Sequence, residues 1–270
     1  NRASSDGNFE KNGVPIQATD NVGPINNWIN SLWSQCEIEL NNTSVENSNT
    51  TYALRSYIEN LLNYGKSAKE SFLQMSMFYK DDAGEMDNFS TTATNAVTTP
   101  GEEKPATTPN KGFLARKTRC LKPIQMMGRI HADIFNIDKY LLNNVNITIK
   151  LTRSKEKFCL LGETGDYSIS IDRALIKVRR VTVSPSVMLA HSVVLQDKNA
   201  KYPVKRVVVK PYTISPGSIT TTLASIHTGV VPKRVVVGFL DTIAFDGSYA
   251  SNPFNFQHFN INNLVLKVAS

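Results

Sequence analysis

Lys205-Arg206-Val207-Val208-Val209 recurs 28 residues later as Lys233-Arg234-Val235-Val236-Val237. A proline stands before each copy (Pro203, Pro232) and a Thr-Ile pair after it (Thr213-Ile214, Thr242-Ile243). Branching at Cβ restricts χ1 and makes three consecutive valines poor helix material. A continuous apolar run suits a strand covered on both faces, with the Lys-Arg pair marking its entry from solvent. Two such strands around a turn-rich segment predict a β-sandwich and argue against an enzyme cleft.

Working outward, Tyr167–Val183 predicts a long strand whose apolar phase slips at Asp172-Arg173 and again at Arg179-Arg180. Such slips mark bulges or corners where a strand changes sheets. Val145, Ile147, Ile149 and Leu151 alternate with polar residues, as on a half-buried strand, and Cys36–Leu40 alternates likewise. Gly162–Asp166 reads as a hairpin turn. Ser184-Pro185 places an N-cap before a proline at the first helical position, predicting a short helix to about Leu195.

The N-terminal half carries the clearest helical pattern. Leu54, Ile58, Leu61 and Leu62 form one face over Tyr52–Tyr64, with Gly65 as the stop. Ser67-Ala68-Lys69-Glu70 resembles a capping box and opens a second helix with Ala68, Phe72, Met75 and Tyr79 on one side. Ile25–Trp33 predicts a helical turn, residues 1–27 a loop or arm, and residues 88–112 a mobile polar loop.

Composition is ordinary for a globular chain of 270 residues, at 41% hydrophobic and 20% charged. The net charge of +7 conceals a split: residues 1–110 carry 7 basic and 14 acidic side chains, and the remainder 23 and 9. Opposite fields would steer self-association or turn one basic surface toward nucleic acid, while the plainer reading is two solvated surfaces. No apolar stretch is long enough for a membrane span. The polar start, without Met or signal-peptide pattern, predicts an excerpt of a longer chain. Cys36, Cys120 and Cys159 show neither a disulfide framework nor metal spacing, which fits a reducing compartment. Five Asn-x-Ser/Thr sequons (Asn41, Asn42, Asn49, Asn88, Asn146) keep a secreted carbohydrate-binding sandwich open as an alternative.

Catalytic motifs are missing: no G-x-S-x-G, Walker A, G-x-G-x-x-G or H-E-x-x-H pattern occurs. The strongest metal-ligand candidates are His131 and Asp133, on one face if their segment is a strand, with Asp138 nearby. Two ligands fall short of a site, so a hydrogen-bonded strand face is expected. No catalytic, cofactor-binding or metal residue is assigned, and no cofactor. Lys111, Arg116, Lys117, Arg119 and Lys122 form a basic run, either a phosphate-contacting arm or, as expected here, a solvated loop flank. Asn252-Pro253-Phe254-Asn255-Phe256 is an inter-subunit plug or, more simply, a loop anchor.

Several local strings, taken in order, are more specific than any single motif. They are Tyr57-Ile58-Glu59-Asn60-Leu61-Leu62-Asn63-Tyr64-Gly65-Lys66, Phe78-Tyr79-Lys80-Asp81, and Gly128-Arg129-Ile130-His131-Ala132-Asp133-Ile134-Phe135. Lys150-Leu151-Thr152-Arg153, Phe158-Cys159-Leu160, Val183-Ser184-Pro185-Ser186-Val187 with Ala190-His191, Ala200-Lys201-Tyr202-Pro203, Pro232-Lys233-Arg234, Gly247-Ser248-Tyr249 and Asn252-Pro253-Phe254-Asn255-Phe256 follow. Together they resemble the double jelly-roll, hexon-like major capsid protein of Polinton/Maverick elements and adintovirus-like DNA viruses. The resemblance runs from about Pro24 to Val268, with residues 91–111 departing from it.

That resemblance implies a mainly β fold of two jelly-roll sandwiches with short helical insertions, truncated here at both ends. Residues 1–183 would form the first jelly roll, 184–203 a helix and linker, and 204–270 the start of the second. It implies a non-enzymatic shell protein: homotrimers as pseudo-hexagonal capsomers, in contact with neighbouring capsomers, penton proteins and packaged DNA. Its place would be the virion capsid, assembled inside the host cell, in nucleus or cytoplasm. Leu61 and Phe72, on the two helices, are the expected trimer contacts. A domesticated host gene keeping the capsid fold is a further alternative.

Overall fold

The N-terminal stretch expected as an arm is largely paired backbone. It holds β1 (Arg2–Gly7), β2 (Phe9–Lys11), β3 (Val14–Pro15) and β4 (Val22–Pro24). The computed structural model describes residues 2–7, 9–93 and 108–267, with side chains from Phe9 onward. β1 runs antiparallel between β7 (Ile124–Arg129) and β11 (Arg173–Lys177). Its sequence, Arg-Ala-Ser-Ser-Asp-Gly, has no apolar alternation to betray a strand. Backbone groups offered by two neighbours decide such a case.

Three other small antiparallel sheets complete the β structure of the described residues. β5 (Trp33–Leu40) sits between β6 (Thr43–Asn47) and β8 (Ile147–Arg153). Cys36 and Ile38 of β5 are buried, as the alternation requires, and Ile149 and Leu151 of β8 pack on the same cluster. β9 (Leu160–Gly162) pairs with β4, while β10 (Tyr167–Ile169) pairs with β2. Gly162–Asp166 therefore turns the chain but joins strands of different sheets, and the expected hairpin does not form. β10 and β11 flank Asp172 and lie in different sheets, so the phase slip at Asp172-Arg173 does mark a corner.

Helices α1 (Trp28–Ser31), α2 (Tyr52–Asn63) and α3 (Lys66–Lys69) carry the N-terminal half. The buried side of α2 comprises Tyr52, Ala53, Leu54, Arg55, Ser56, Tyr57 and Asn60, whereas Leu61 and Leu62 are exposed. Two tyrosines and an arginine displaced the leucine pair from the core. The second predicted helix is short: α3 stops at Lys69, and a 3-10 turn over Phe72–Ser76 follows. Gly65 is the N-cap of α3 and no side chain caps it, so Ser67 opens no capping box. The 3-10 turn changes the helical phase, burying Leu73, Met77 and Phe78 and leaving Phe72 and Met75 exposed.

Past the polar loop come α4 (Lys111–Arg119), α5 (Glu156–Cys159), α6 (Pro185–Asp197) and α7 (Thr242–Asp246). Residues 94–107 of the expected mobile loop lie outside the described residues. α6 begins at Ser184-Pro185 as predicted, yet buries no residue. The two valine runs lie outside any strand, with Val208 56% and Val236 55% exposed. This corrects the expectation that opened the sequence reading. A triple-valine strand needs a ladder partner, and among the described residues none reaches either run. The chain is thus a mixture of helices and small sheets. Among the described residues the core lies in three clusters, around Trp28 and Tyr167, around Tyr57 and Phe113, and around Ile38 and Ile134. Cys36, Cys120 and Cys159 are free and buried. No helix among the described residues is long and apolar enough to cross a membrane.

Candidate functional site

Arg55 stands at the centre of a buried charge cluster. α2 places Arg55 and Glu59 one turn apart, and Arg55 Nε donates to Glu59 Oε1 at 2.9 Å. Its Nη1 donates to Glu46 Oε1 of β6 at 2.6 Å, and its Nη2 to Asp133 Oδ1. The second oxygen of Glu46 accepts the backbone N–H of Asp133 at 2.7 Å. The second oxygen of Asp133 accepts the N–H of Val207 at 3.0 Å, tying the first valine run to this centre. All five donors of a guanidinium fork suit such convergence of carboxylates better than a lysine would.

His131 borders the same cluster. Its Nδ1 lies 2.6 Å from Glu59 Oε2, and its backbone N–H donates to the Tyr52 hydroxyl at 3.3 Å. The hydroxyl in turn donates to Asn30 Oδ1 at 3.0 Å. His131 and Asp133 are thus close in space, but not on a strand. They flank Ala132, between the end of β7 and a 3-10 turn over Asp133–Asn136, and point to different partners. Asp138 is exposed. Among the described residues no group of His, Cys, Asp or Glu is arranged to hold a metal ion. The sequence pointed to His131 and Asp133 but missed Arg55, Glu46 and Glu59. The available signal was Arg55 and Glu59 four apart within an apolar helix.

Titration follows from this geometry. Burial raises the Glu59 carboxyl, but His131 and Arg55 outweigh it and hold it at about 2, below its ordinary 4.5. Burial holds His131 below its ordinary 6.5, against the pull of Glu59. Burial raises Asp133 above 3.8, with Arg55 opposing. In acid, the unfolded chain binds protons that folded His131 and Glu59 refuse, so both groups lose stability as pH falls. His131 acts below about pH 6.5 and Glu59 between about 4.5 and 2. Asp133 has the opposite sign in a window above 3.8. Stepwise urea denaturation should show stability falling toward acid, with about 2–3 kcal/mol from Glu59. Glu59→Gln should flatten the limb below pH 4.5; an unchanged slope would contradict the assignment.

A cavity of about 410 Å³ adjoins the cluster, lined on its buried side by Asn60, Leu73, Ile130 and His131. Phe72, Met75, Arg129 and Asn136 stand at its exposed rim. His131 Nε2 and Asn60 Oδ1 are buried without a hydrogen-bond partner.

The basic run is not a loop flank. Lys111–Arg119 is α4, capped by the Asn110 side chain, which accepts from the N–H groups of Gly112 and Phe113. Arg116 is wholly buried and pairs with Asp81 at 2.8 Å, while donating to Pro24 O at 2.9 Å and Tyr79 O at 3.1 Å. Lys117 is buried too, and Arg119 lies over the Tyr79 ring at 5.4 Å. Lys111 and Lys122 alone of the five face solvent without such a contact to an aromatic or a buried partner. Phe254 of the Asn252–Phe256 stretch stacks on Tyr57 at 4.2 Å, and Asn252 Nδ2 donates to Met86 O at 2.9 Å. That stretch is a loop anchor within the chain.

No protein-family model matches the chain. No solved structure matches it either. The chain is similar to an uncharacterized protein of Caenorhabditis elegans, 24% identical over 245 residues, covering 88% of this chain and 52% of that protein. It therefore spans about half the length of the curated relative it matches.

Proposed function

We propose that this chain is a shell building block: a double jelly-roll major capsid protein that works by assembly and carries out no chemical step. One observation carries the reading. Among the described residues, 35 large hydrophobic side chains are exposed, and 28 of them lie at Leu175 or beyond. So many exposed large apolar side chains in one part of a chain call for a covering partner, and where they adjoin they mark an interaction site. The valine runs, the bare α6 and the exposed strand β11 are strand- and helix-forming segments without a second layer. A jelly roll supplies that layer with a facing sheet, and a capsomer supplies more of it from neighbouring copies. Short antiparallel strands that change sheets at Asp172 fit the same architecture, as does the ordered set of family-like strings.

In this reading the chain trimerises into pseudo-hexagonal capsomers that tile an icosahedral virion shell inside the host cell. Neighbouring capsomers, penton proteins and packaged DNA are its partners. The acidic first part of one copy attracts the basic remainder of the next, so assembly weakens with salt. Light scattering and electron micrographs of the expressed full-length product test this directly. Trimers or shells are expected; a monodisperse monomer at high concentration would overturn it. Leu61, 41% exposed beside Leu62 on α2, is the assigned trimer contact. Leu61→Asp should yield folded monomers, and a mutant still trimeric removes that contact from the interface.

A further inference from the structure

The two unpartnered buried polar atoms of the residues lining the cavity beside His131 are acceptors. Glu59 is a carboxylate and can only accept, so the proton between it and His131 resides on Nδ1. The lone pair of Nε2 is then left as an acceptor, and that atom is buried without a partner. The His131 side chain is 1% exposed and belongs to the cavity wall. Asn60 offers a second acceptor there: its Nδ2 donates to Asn27 Oδ1 at 3.2 Å, and its Oδ1 has no partner. Two orphaned acceptors within a buried wall cost free energy that a hydrogen-bond donor would recover. Leu73, Ile130 and Phe135 supply the apolar part of the wall around them, and Asn30 and Ser76 further polar groups. A half-open cleft with an apolar floor and a few fixed polar atoms is a common form of small-molecule site.

We propose that this cavity binds a small aromatic molecule through a hydroxyl or ring N–H, held by His131 Nε2 and Asn60 Oδ1. The ring lies against Leu73, Ile130 and Phe135, and enters past Phe72 and Met75. Glu59 is a positioning residue: it fixes the His131 tautomer and ring plane and does not touch the ligand. The other charged groups around His131 are Arg55 on α2 and Arg129 at the end of β7, and neither provides an acceptor. Every group in the site comes from residues 30–136 of one chain, so no second copy is needed to build it, although Phe72 at its mouth is also an expected trimer contact.

Phenol and anisole serve as probes, alike in ring but differing in the donor. Ligand-observed saturation-transfer NMR reads binding equally on monomers and assemblies, so it does not depend on how the chain assembles. Phenol should bind about tenfold more tightly than anisole, since only phenol satisfies an acceptor. On protein carrying ¹⁵N-histidine, phenol should move the His131 Nε2 resonance. Met75→Trp, at the exposed rim, should abolish phenol binding with the thermal midpoint unchanged. His131→Phe should bring phenol to the level of anisole. Equal binding of both probes, a static His131 resonance, or full phenol binding by Met75→Trp would overturn the site and leave only water to fill it.

Discussion

Arg55→Met is expected to destabilise the chain by about 3–5 kcal/mol, because it leaves three buried carboxylates facing one another. Glu46, Glu59 and Asp133 all converge on the guanidinium, and their side chains are 10%, 15% and 6% exposed. Methionine keeps most of the stem's packing, so the loss reports charge rather than volume. Arg55→Lys should recover only part of it, since one ammonium cannot serve three carboxylates on different elements. Urea titration at pH 7 supplies the number. A loss under about 1 kcal/mol would mean that water already solvates these carboxylates. Asp133 also accepts from Val207, so Asp133→Ala, which removes that acceptor, should free the first valine run and raise proteolysis near Lys205.

Arg116→Met should cost a similar amount, about 3–5 kcal/mol, through a different part of the fold. Arg116 is 0% exposed, and Asp81 opposite it 1%. The carboxylate of Asp81 also accepts from Asn26 Nδ2 at 2.9 Å and Asn110 Nδ2 at 3.0 Å. Those amides are not charges and do not neutralise it. Pro24 O and Tyr79 O each lose the hydrogen bond from Arg116 in the same step, Tyr79 O keeping the one from Asn26 Nδ2. The double variant Arg116→Met/Asp81→Asn should be milder than Arg116→Met alone, because removing both charges spares the unpaired one. Equal or greater loss in the double variant would locate the energy in the backbone contacts instead. The two single losses, at Arg55 and Arg116, should add if the two hubs are independent.

Some elements were legible because local chemistry alone dictates them. β5 and β8 show period-two alternation, α2 a helical stripe, and α6 a Ser-Pro start; each forms within a few residues of its predicted bounds. His131 and Asp133 were picked out as a pair and do lie at the chemically richest point. They were expected to be hydrogen-bonded, and they are, but on a strand face, where they do not lie. Arg116 was misread. A basic residue in a polar stretch looks solvated until a helix turns it inward onto an aspartate 35 positions earlier.

Composition and periodicity by themselves determined which segments could be strand or helix, the charge division between the two parts of the chain, and the absence of familiar catalytic motifs. Those properties depend on neighbours within a few residues, where sterics and side-chain spacing act. Tertiary structure alone decided that the featureless Arg2–Gly7 becomes a central strand, while the strongly β-prone valine runs stay unpaired. It alone brought Glu46, Arg55, Glu59, His131 and Asp133 together. A strand is completed by hydrogen bonds to another strand, and a buried charge by a charge on another element. Both partners lie far away in sequence, where no local pattern records them.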